Sequence, residues 1–141
     1  MKKQLDYGIL AIWTISLIAT LGSLYFSEIR GYIPCELCWV QRIFMYPIVL
    51  ITTIAYLQRN PKIAVTTATF SVIGSCISLY HYGIQKLDFL ADSAPACGIV
   101  PCTGQYINWF GFITIPFLAF TAFISIAIIS FYMLKKMKEE N

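Results

Sequence analysis

Charged residues are scarce in this chain. Asp, Glu, Lys and Arg make up 12% of its 141 residues, and 58% of the residues are hydrophobic. A soluble domain carries about 25% charged residues, so this composition indicates a membrane protein. The net charge is only +3, and the positive residues cluster at the chain ends and in one short turn, which argues against a nucleic-acid partner. The length suits one compact bundle without a second domain.

The apolar residues fall into four segments, and a membrane-spanning helix needs about 20 such residues. The sequence therefore predicts an all-α polytopic membrane protein, a bundle of four transmembrane helices forming a single integral-membrane domain over residues 1–141. The predicted membrane-spanning helices cover about residues 8–26, 38–57, 63–82 and 110–134. The predicted outer loops cover residues 27–37 and 83–109.

The second segment is short, because its uncharged run covers only residues 43–57. The extra turns must lie before it, since the Asn60-Pro61 pair disfavours helix on the other side. The second helix is therefore predicted to begin near Cys35 and to carry Arg42 at the level of the lipid headgroups. An arginine there is far less costly than one at the centre of the bilayer.

The distribution of Lys and Arg predicts the orientation of the helices. One face of the membrane would carry seven of these residues: Lys2, Lys3, Arg59, Lys62, Lys135, Lys136 and Lys138. The opposite face would carry three: Arg30, Arg42 and Lys86. This bias predicts that both termini are cytoplasmic. A cleaved signal peptide is the alternative for the N-terminus, but its apolar run exceeds the usual length of about 7–15 residues.

Four of the five cysteines fall on the outer, oxidising side of this topology, as the C-x-x-C pair Cys35 and Cys38 and the C-x-x-x-x-C pair Cys97 and Cys102. Rings this short restrict the unfolded chain little, so they would be weak structural staples. Exchangeable redox pairs are the favoured interpretation. A four-thiolate zinc site is the alternative, but its usual spacing is C-x-x-C twice, and no metal is predicted. Cys76, in the small-residue run "GSCIS", is predicted to be a buried, unreactive packing residue.

The first pair opens the second helix. Pro34 suits a helix start, and a helix N-terminus stabilises a thiolate. Arg42 follows Cys38 by four residues and therefore shares its helix face. It would add a stabilising charge, although an interfacial anchor whose charged head reaches the headgroups is the alternative. Because Cys38 lies at the membrane surface, a lipid-soluble oxidant such as a quinone could reach it.

Two polar residues near the end of the third helix are further candidates. His81 is at the outer boundary and could donate a hydrogen bond to a quinone oxygen. Gln85 follows one turn later and could assist. An interfacial histidine and a solvated glutamine are the alternatives. The second cysteine pair lies in "PACGIVPCTGQYINWFG", whose glycines and prolines predict an exposed, mobile segment suited to exchange with another protein.

The stretches "PCELCWVQR", "YHYGIQ" and "CGIVPCTGQYINWFGFITIPF" resemble the DsbB-type disulfide bond formation proteins, in particular the short BdbC-type members. The resemblance covers nearly the whole chain. It implies that Cys35 and Cys38 are the quinone-linked pair and that Cys97 and Cys102 face the protein partner. It also implies that the quinone site holds Arg42 and lies near His81 and Gln85.

The function that this resemblance implies is a quinone-dependent protein-disulfide oxidoreductase of the inner or plasma membrane, with its active cysteines on the extracytoplasmic side. It would reoxidise a thioredoxin-fold dithiol oxidase of the DsbA or BdbD kind on the outer face. The electrons would pass to menaquinone or ubiquinone in the lipid, in support of disulfide bond formation. Two alternatives are a four-helix enzyme resembling quinone or epoxide reductases, whose C-x-x-C ends a late helix, and a structural membrane protein with a disulfide-stapled outer loop.

Overall fold

A computed structural model describes residues 2–29, 36–86 and 115–140. Its four helices are α1 (Lys2–Leu24), α2 (Glu36–Gln58), α3 (Ala64–Lys86) and α4 (Ile115–Glu140). A π-helical turn, Tyr25–Ile29, extends α1. The described ranges contain no strand, and four helices are long and apolar enough to cross a membrane. The prediction of an all-α, four-span protein is therefore confirmed.

Helices α2 and α3 are joined by the tight turn that the Asn60-Pro61 pair predicts. Helix α2 ends at Gln58, and Arg59 follows in the left-handed backbone region with φ of 50°. The side-chain oxygen of Asn60 accepts a hydrogen bond from the Lys62 backbone N–H at 3.2 Å and caps a 3₁₀ turn, Pro61–Ile63. Proline begins this turn because its missing N–H would have had no partner there.

The helices alternate in direction. Trp13 Nε1 donates to Thr53 Oγ1 at 2.9 Å, while later in α1 Ser23 contacts α2 near its start, so α1 and α2 are antiparallel. Helices α3 and α4 are also antiparallel, because hydroxyls of Thr67 and Ser130 are 2.7 Å apart near one end. At the other end the rings of Tyr82 and Phe117 have centroids 5.7 Å apart.

Each helix packs against its neighbour in the chain, and α1 packs against α4 to close the bundle. One end of the bundle therefore holds the end of α1, the start of α2, the end of α3 and the start of α4. We call this the cysteine end, because the chain segments that carry Cys35, Cys97 and Cys102 are attached to helices there. Those three residues lie outside the described part of the chain.

Small residues on α3 allow the close packing that "GSCIS" predicts. Gly74 is buried against Phe123 of α4, and a Cβ added to it would come closer than 3.0 Å to the Phe123 ring. Ser71, Ser75 and Ser78 continue the same buried face. The expectation that Cys76 is buried is wrong, because its side chain is exposed. The buried positions recur every three to four residues, and Cys76 falls between them on the outward face of the helix.

The hydroxyl groups inside the bundle mostly bond to their own helix. Ser71 Oγ donates to the Ala68 carbonyl at 3.1 Å, and Ser75 Oγ donates to the Val72 carbonyl at 2.8 Å. Such bonds satisfy polar side chains in an interior that water does not reach, where an unpaired hydroxyl is costly. The interior of the bundle is thus partly polar along α3. Because these hydroxyls bond within their own helix, the bundle remains compatible with membrane insertion.

Candidate functional site

The structure describes the side chains of two of the seven predicted site residues, Arg42 and His81. Both lie at the cysteine end, on α2 and α3. Cys38 is in the first turn of α2 and Gln85 is in the last turn of α3, but their side chains are outside the described part. Cys35, Cys97 and Cys102 lie wholly outside it. The roles of these five residues remain predictions.

Arg42 is half-buried and is held by α1. Its Nε donates to Ser23 Oγ at 3.0 Å, and its Nη2 donates to the Ser23 carbonyl at 3.4 Å. Tyr46, one turn later on α2, donates its hydroxyl to the same Ser23 Oγ at 3.2 Å. The guanidinium carbon lies 5.0 Å from the centre of the Trp39 ring, a favourable cation–π arrangement. Three contacts of Arg42 thus fix the position of this charge relative to α2, and Tyr46 helps to hold Ser23.

The charge of Arg42 is not neutralised by a carboxylate among the residues that the structure describes. The ion pair found there joins Lys136 and Glu139 on α4. A guanidinium held by neutral groups keeps its attraction for an anion. By helix geometry, Cys38 and Arg42 are separated by one turn on one face of α2, at an axial rise of about 6 Å. The site can therefore stabilise a negative charge near the start of α2.

His81 is buried within the bundle, with only 1% of its surface exposed. Its Nδ1 lies 3.0 Å from Nε2 of Gln41, which is itself 6% exposed. The predicted site residues did not include Gln41. A signal for it exists in the sequence, because a glutamine in the second turn of a membrane helix requires a hydrogen-bonding partner. No sequence pattern indicated that this partner is His81, 40 residues later in the chain.

Gln41 and Arg42 are consecutive residues, yet they bond to different neighbours. Successive residues of a helix point about 100° apart, so Gln41 reaches His81 on α3 while Arg42 reaches Ser23 on α1. Helices α1, α2 and α3 are thereby linked by side-chain hydrogen bonds at the cysteine end. The arrangement places a cation and an imidazole on two sides of the helix that begins with the C-x-x-C motif.

The described groups fit a quinone. A quinone has two carbonyl oxygens that only accept hydrogen bonds and a flat, apolar ring that dissolves in lipid. Arg42 offers N–H donors, His81 offers a ring nitrogen on α3, and the exposed side chains of Trp39 and Ile43 supply apolar surface on α2. In the described ranges, no group of three or more His, Cys, Asp or Glu residues is placed to hold a metal ion.

Comparison with known proteins adds independent information. The family model for disulfide bond formation protein DsbB matches residues 6–133. A probable disulfide formation protein C of Halalkalibacterium halodurans is 61% identical over 136 residues, covering 96% of this chain and 99% of that protein. Disulfide bond formation protein C of Bacillus subtilis strain 168 is 53% identical over 140 residues, covering 99% of this chain and 100% of that protein. No solved structure gives a significant match.

Proposed function

The chain belongs to the DsbB family of disulfide bond formation proteins, and from this premise we propose that it oxidises a dithiol protein and delivers the electrons to a membrane quinone. The family makes it a multi-pass membrane protein of disulfide formation. The quinone, the partner and the side of the membrane are parts of the proposal. One observation supports the quinone most: Arg42 is fixed, without a carboxylate partner among the described residues, one turn from Cys38.

The proposed partner is a thioredoxin-fold protein with a reduced C-x-x-C, located on the extracytoplasmic face of the cell membrane. Its thiolate attacks Cys97 and breaks the Cys97–Cys102 disulfide. The Cys102 thiolate that leaves then attacks Cys35 and breaks the Cys35–Cys38 disulfide, so that Cys38 leaves as a thiolate. Each exchange conserves one disulfide and one thiolate.

The second thiolate of the partner completes the transfer. It attacks the partner's own sulfur in the mixed disulfide, which forms the disulfide of the oxidised partner and releases Cys97 as a thiolate. The Cys97 thiolate then attacks Cys102, which restores the outer disulfide and releases Cys35. The partner has lost two electrons and two protons, and Cys35 and Cys38 are the reduced pair. A quinone, when bound, supplies the acceptor for the two electrons and two protons that leave this pair.

The residues of the chain prepare Cys38 for this last transfer. The first turn of α2 presents backbone N–H groups that favour an anion, and Arg42 adds a full positive charge. Ser23 and Tyr46 prevent the guanidinium from turning away, and Trp39 covers one of its faces. His81 contributes a hydrogen-bonding nitrogen on the α3 side of the site. The thiolate is therefore stabilised where a lipid-soluble acceptor can meet it.

The proposal is tested with the purified protein in lipid nanodiscs, a reduced thioredoxin-fold dithiol protein and a quinone. The expected result is oxidation of the partner that depends on the quinone. Cys38→Ser should abolish quinone reduction, and Cys97→Ser should abolish oxidation of the partner. Cys76→Ser is the matched control, because Cys76 is on the outward face of α3 and should leave both rates unchanged. Quinone reduction by Cys38→Ser at the normal rate would contradict the assigned roles.

A further inference from the structure

The direction of the hydrogen bond between Gln41 and His81 follows from the orientation of the Gln41 amide. The contact joins Nε2 of Gln41 to Nδ1 of His81 at 3.0 Å. The amide nitrogen of glutamine carries two N–H donors and has no acceptor capacity. With the amide in this orientation Nδ1 accepts, and its lone pair cannot also carry a proton. The proton of the neutral ring is then on Nε2.

The burial of the pair makes this assignment energetically important. Gln41 is 6% exposed and His81 is 1% exposed, so neither side chain can exchange its partner for water at little cost. A ring protonated on Nδ1 would oppose two N–H donors in an interior of low dielectric constant. That arrangement would cost the bond between the two groups, and losing a buried hydrogen bond is unfavourable. The bond thus selects one of the two tautomers.

We propose that Gln41 is a positioning residue that fixes His81 as the neutral Nε2–H tautomer, which makes the second ring nitrogen a hydrogen-bond donor. The use of this donor rests on the proposed function, because a quinone oxygen accepts hydrogen bonds and never donates them. A donor stabilises the negative charge that develops on such an oxygen. A neutral donor also avoids placing a second cation near Arg42. Gln41 acts through His81 and is not itself required to touch the quinone.

Gln41 also joins α2, the helix that carries Cys38, to α3 through this bond. It lies between Cys38 and Arg42 on α2, and its partner is on α3. A displacement of the C-x-x-C helix relative to α3 would stretch the buried bond. The tautomer of His81 is therefore coupled to the packing of the helix that carries Cys38.

The chain contains a single histidine, so its imidazole can be observed without assignment of other residues. The full chain, purified through a tag without histidine and labelled with ¹⁵N in histidine, is placed in lipid nanodiscs without added quinone. Nitrogen NMR distinguishes a protonated ring nitrogen from an unprotonated one. We expect an unprotonated Nδ1 and a protonated Nε2. A protonated Nδ1 in the wild-type protein, either in the opposite tautomer or in an imidazolium, would overturn the proposal.

Gln41→Glu provides the sharpest variant, because a carboxylate can only accept and would draw a proton onto Nδ1. The Nδ1 signal should change to the protonated type. Gln41→Met removes both the donor and the acceptor and should give a mixture of tautomers. Gln58→Glu is the matched control: it makes the same substitution on the same helix, at an exposed position at the opposite end. It should leave the His81 signals unchanged. Unchanged Nδ1 signals in Gln41→Glu would also overturn the proposal.

Kinetics separate a positioning role from a general loss of structure. Gln41→Glu should move the proton of the neutral ring from Nε2 to Nδ1, so the Nε2–H donor is lost and the KM for quinone should rise by roughly tenfold. Single-turnover oxidation of the reduced partner in the absence of quinone should keep its normal rate. An equal loss in both measurements would overturn the positioning role. If the wild-type protein fails to reduce quinone while the predicted tautomer is present, the proposed function fails and the assignment of the tautomer stands.

Discussion

Replacement of Arg42 by methionine tests how the site stabilises its thiolate. Methionine retains an unbranched, flexible stem and removes the charge. The hydrogen bonds to Ser23 and the contact with Trp39 are lost with it. Because the described part of the chain offers Arg42 no carboxylate partner, the substitution leaves no unpaired acid among those residues. The expected change is therefore a weaker stabilisation of the Cys38 thiolate rather than a new buried charge.

The magnitude follows from the spacing of the two residues on α2. Four residues correspond to an axial rise of about 6 Å. Two unit charges at that separation attract each other by roughly 3 kcal/mol if the effective dielectric constant is about 20. Each 1.36 kcal/mol of this energy corresponds to about a tenfold change in rate. Arg42→Met should therefore slow the quinone-reducing step by roughly 100-fold.

The assay measures two half-reactions of the same purified protein. Quinone reduction by the pre-reduced chain reports the step at Cys38. Oxidation of a reduced partner in a single turnover, without quinone, reports the step at Cys97 and should stay near normal. Arg42→Lys retains the charge but loses the bidentate geometry, so its defect should be smaller than that of Arg42→Met. The thermal unfolding of each variant in detergent verifies that the bundle is intact.

Arg59→Met is the matched control. It removes the same charge from an exposed residue at the opposite end of α2, and quinone reduction should be unaffected. Quinone reduction by Arg42→Met at half the normal rate or more would refute the electrostatic argument. An equal defect in Arg59→Met would refute it as well, because the loss would then reflect overall charge rather than the site.

Three further outcomes follow from the described contacts. Ser23→Ala removes the hydroxyl that accepts hydrogen bonds from both Arg42 and Tyr46. Quinone reduction should fall by roughly fivefold while partner oxidation stays normal. A loss confined to partner oxidation would contradict the role of these hydrogen bonds. Gly74→Ala forces a methyl group against Phe123 and should lower the free energy of unfolding in detergent by roughly 1–3 kcal/mol. Gly22→Ala is the control and should not destabilise the protein, because nothing lies within 4 Å of the added Cβ. Equal effects of the two substitutions would contradict the packing of α3 on α4. An impermeant thiol reagent applied to reduced cells should label Cys35 and Cys38, and labelling only after the cytoplasm is opened would contradict the proposed orientation.

The number of helices could be predicted from the sequence because membrane insertion requires long apolar runs. The end of α2 could also be predicted, since Asn60-Pro61 interrupts a helix by local chemistry alone. Both features depend on residues close together in the chain. A functional role of Arg42 could also be proposed from the sequence, because an isolated charge in an apolar helix is costly.

The partners of these residues could not be predicted in the same way. The bond from Gln41 to His81 and the bond from Arg42 to Ser23 depend on how α2 is rotated relative to its neighbours. Cys76 shows the same limit. Its small neighbours predicted a packed face correctly at Gly74, but the periodicity of burial along α3 placed the thiol outside that face. Composition identifies a packed helix, and the contacts between helices decide which of its residues are inside.

The stoichiometry of the reaction tests the central proposal most directly. The wild-type chain in quinone-containing nanodiscs is mixed anaerobically with a limiting amount of reduced thioredoxin-fold partner, and both products are counted. The account predicts that one quinone is reduced for each disulfide formed in the partner. Two results would contradict it: formation of the partner disulfide without reduction of quinone, or the formation of neither product.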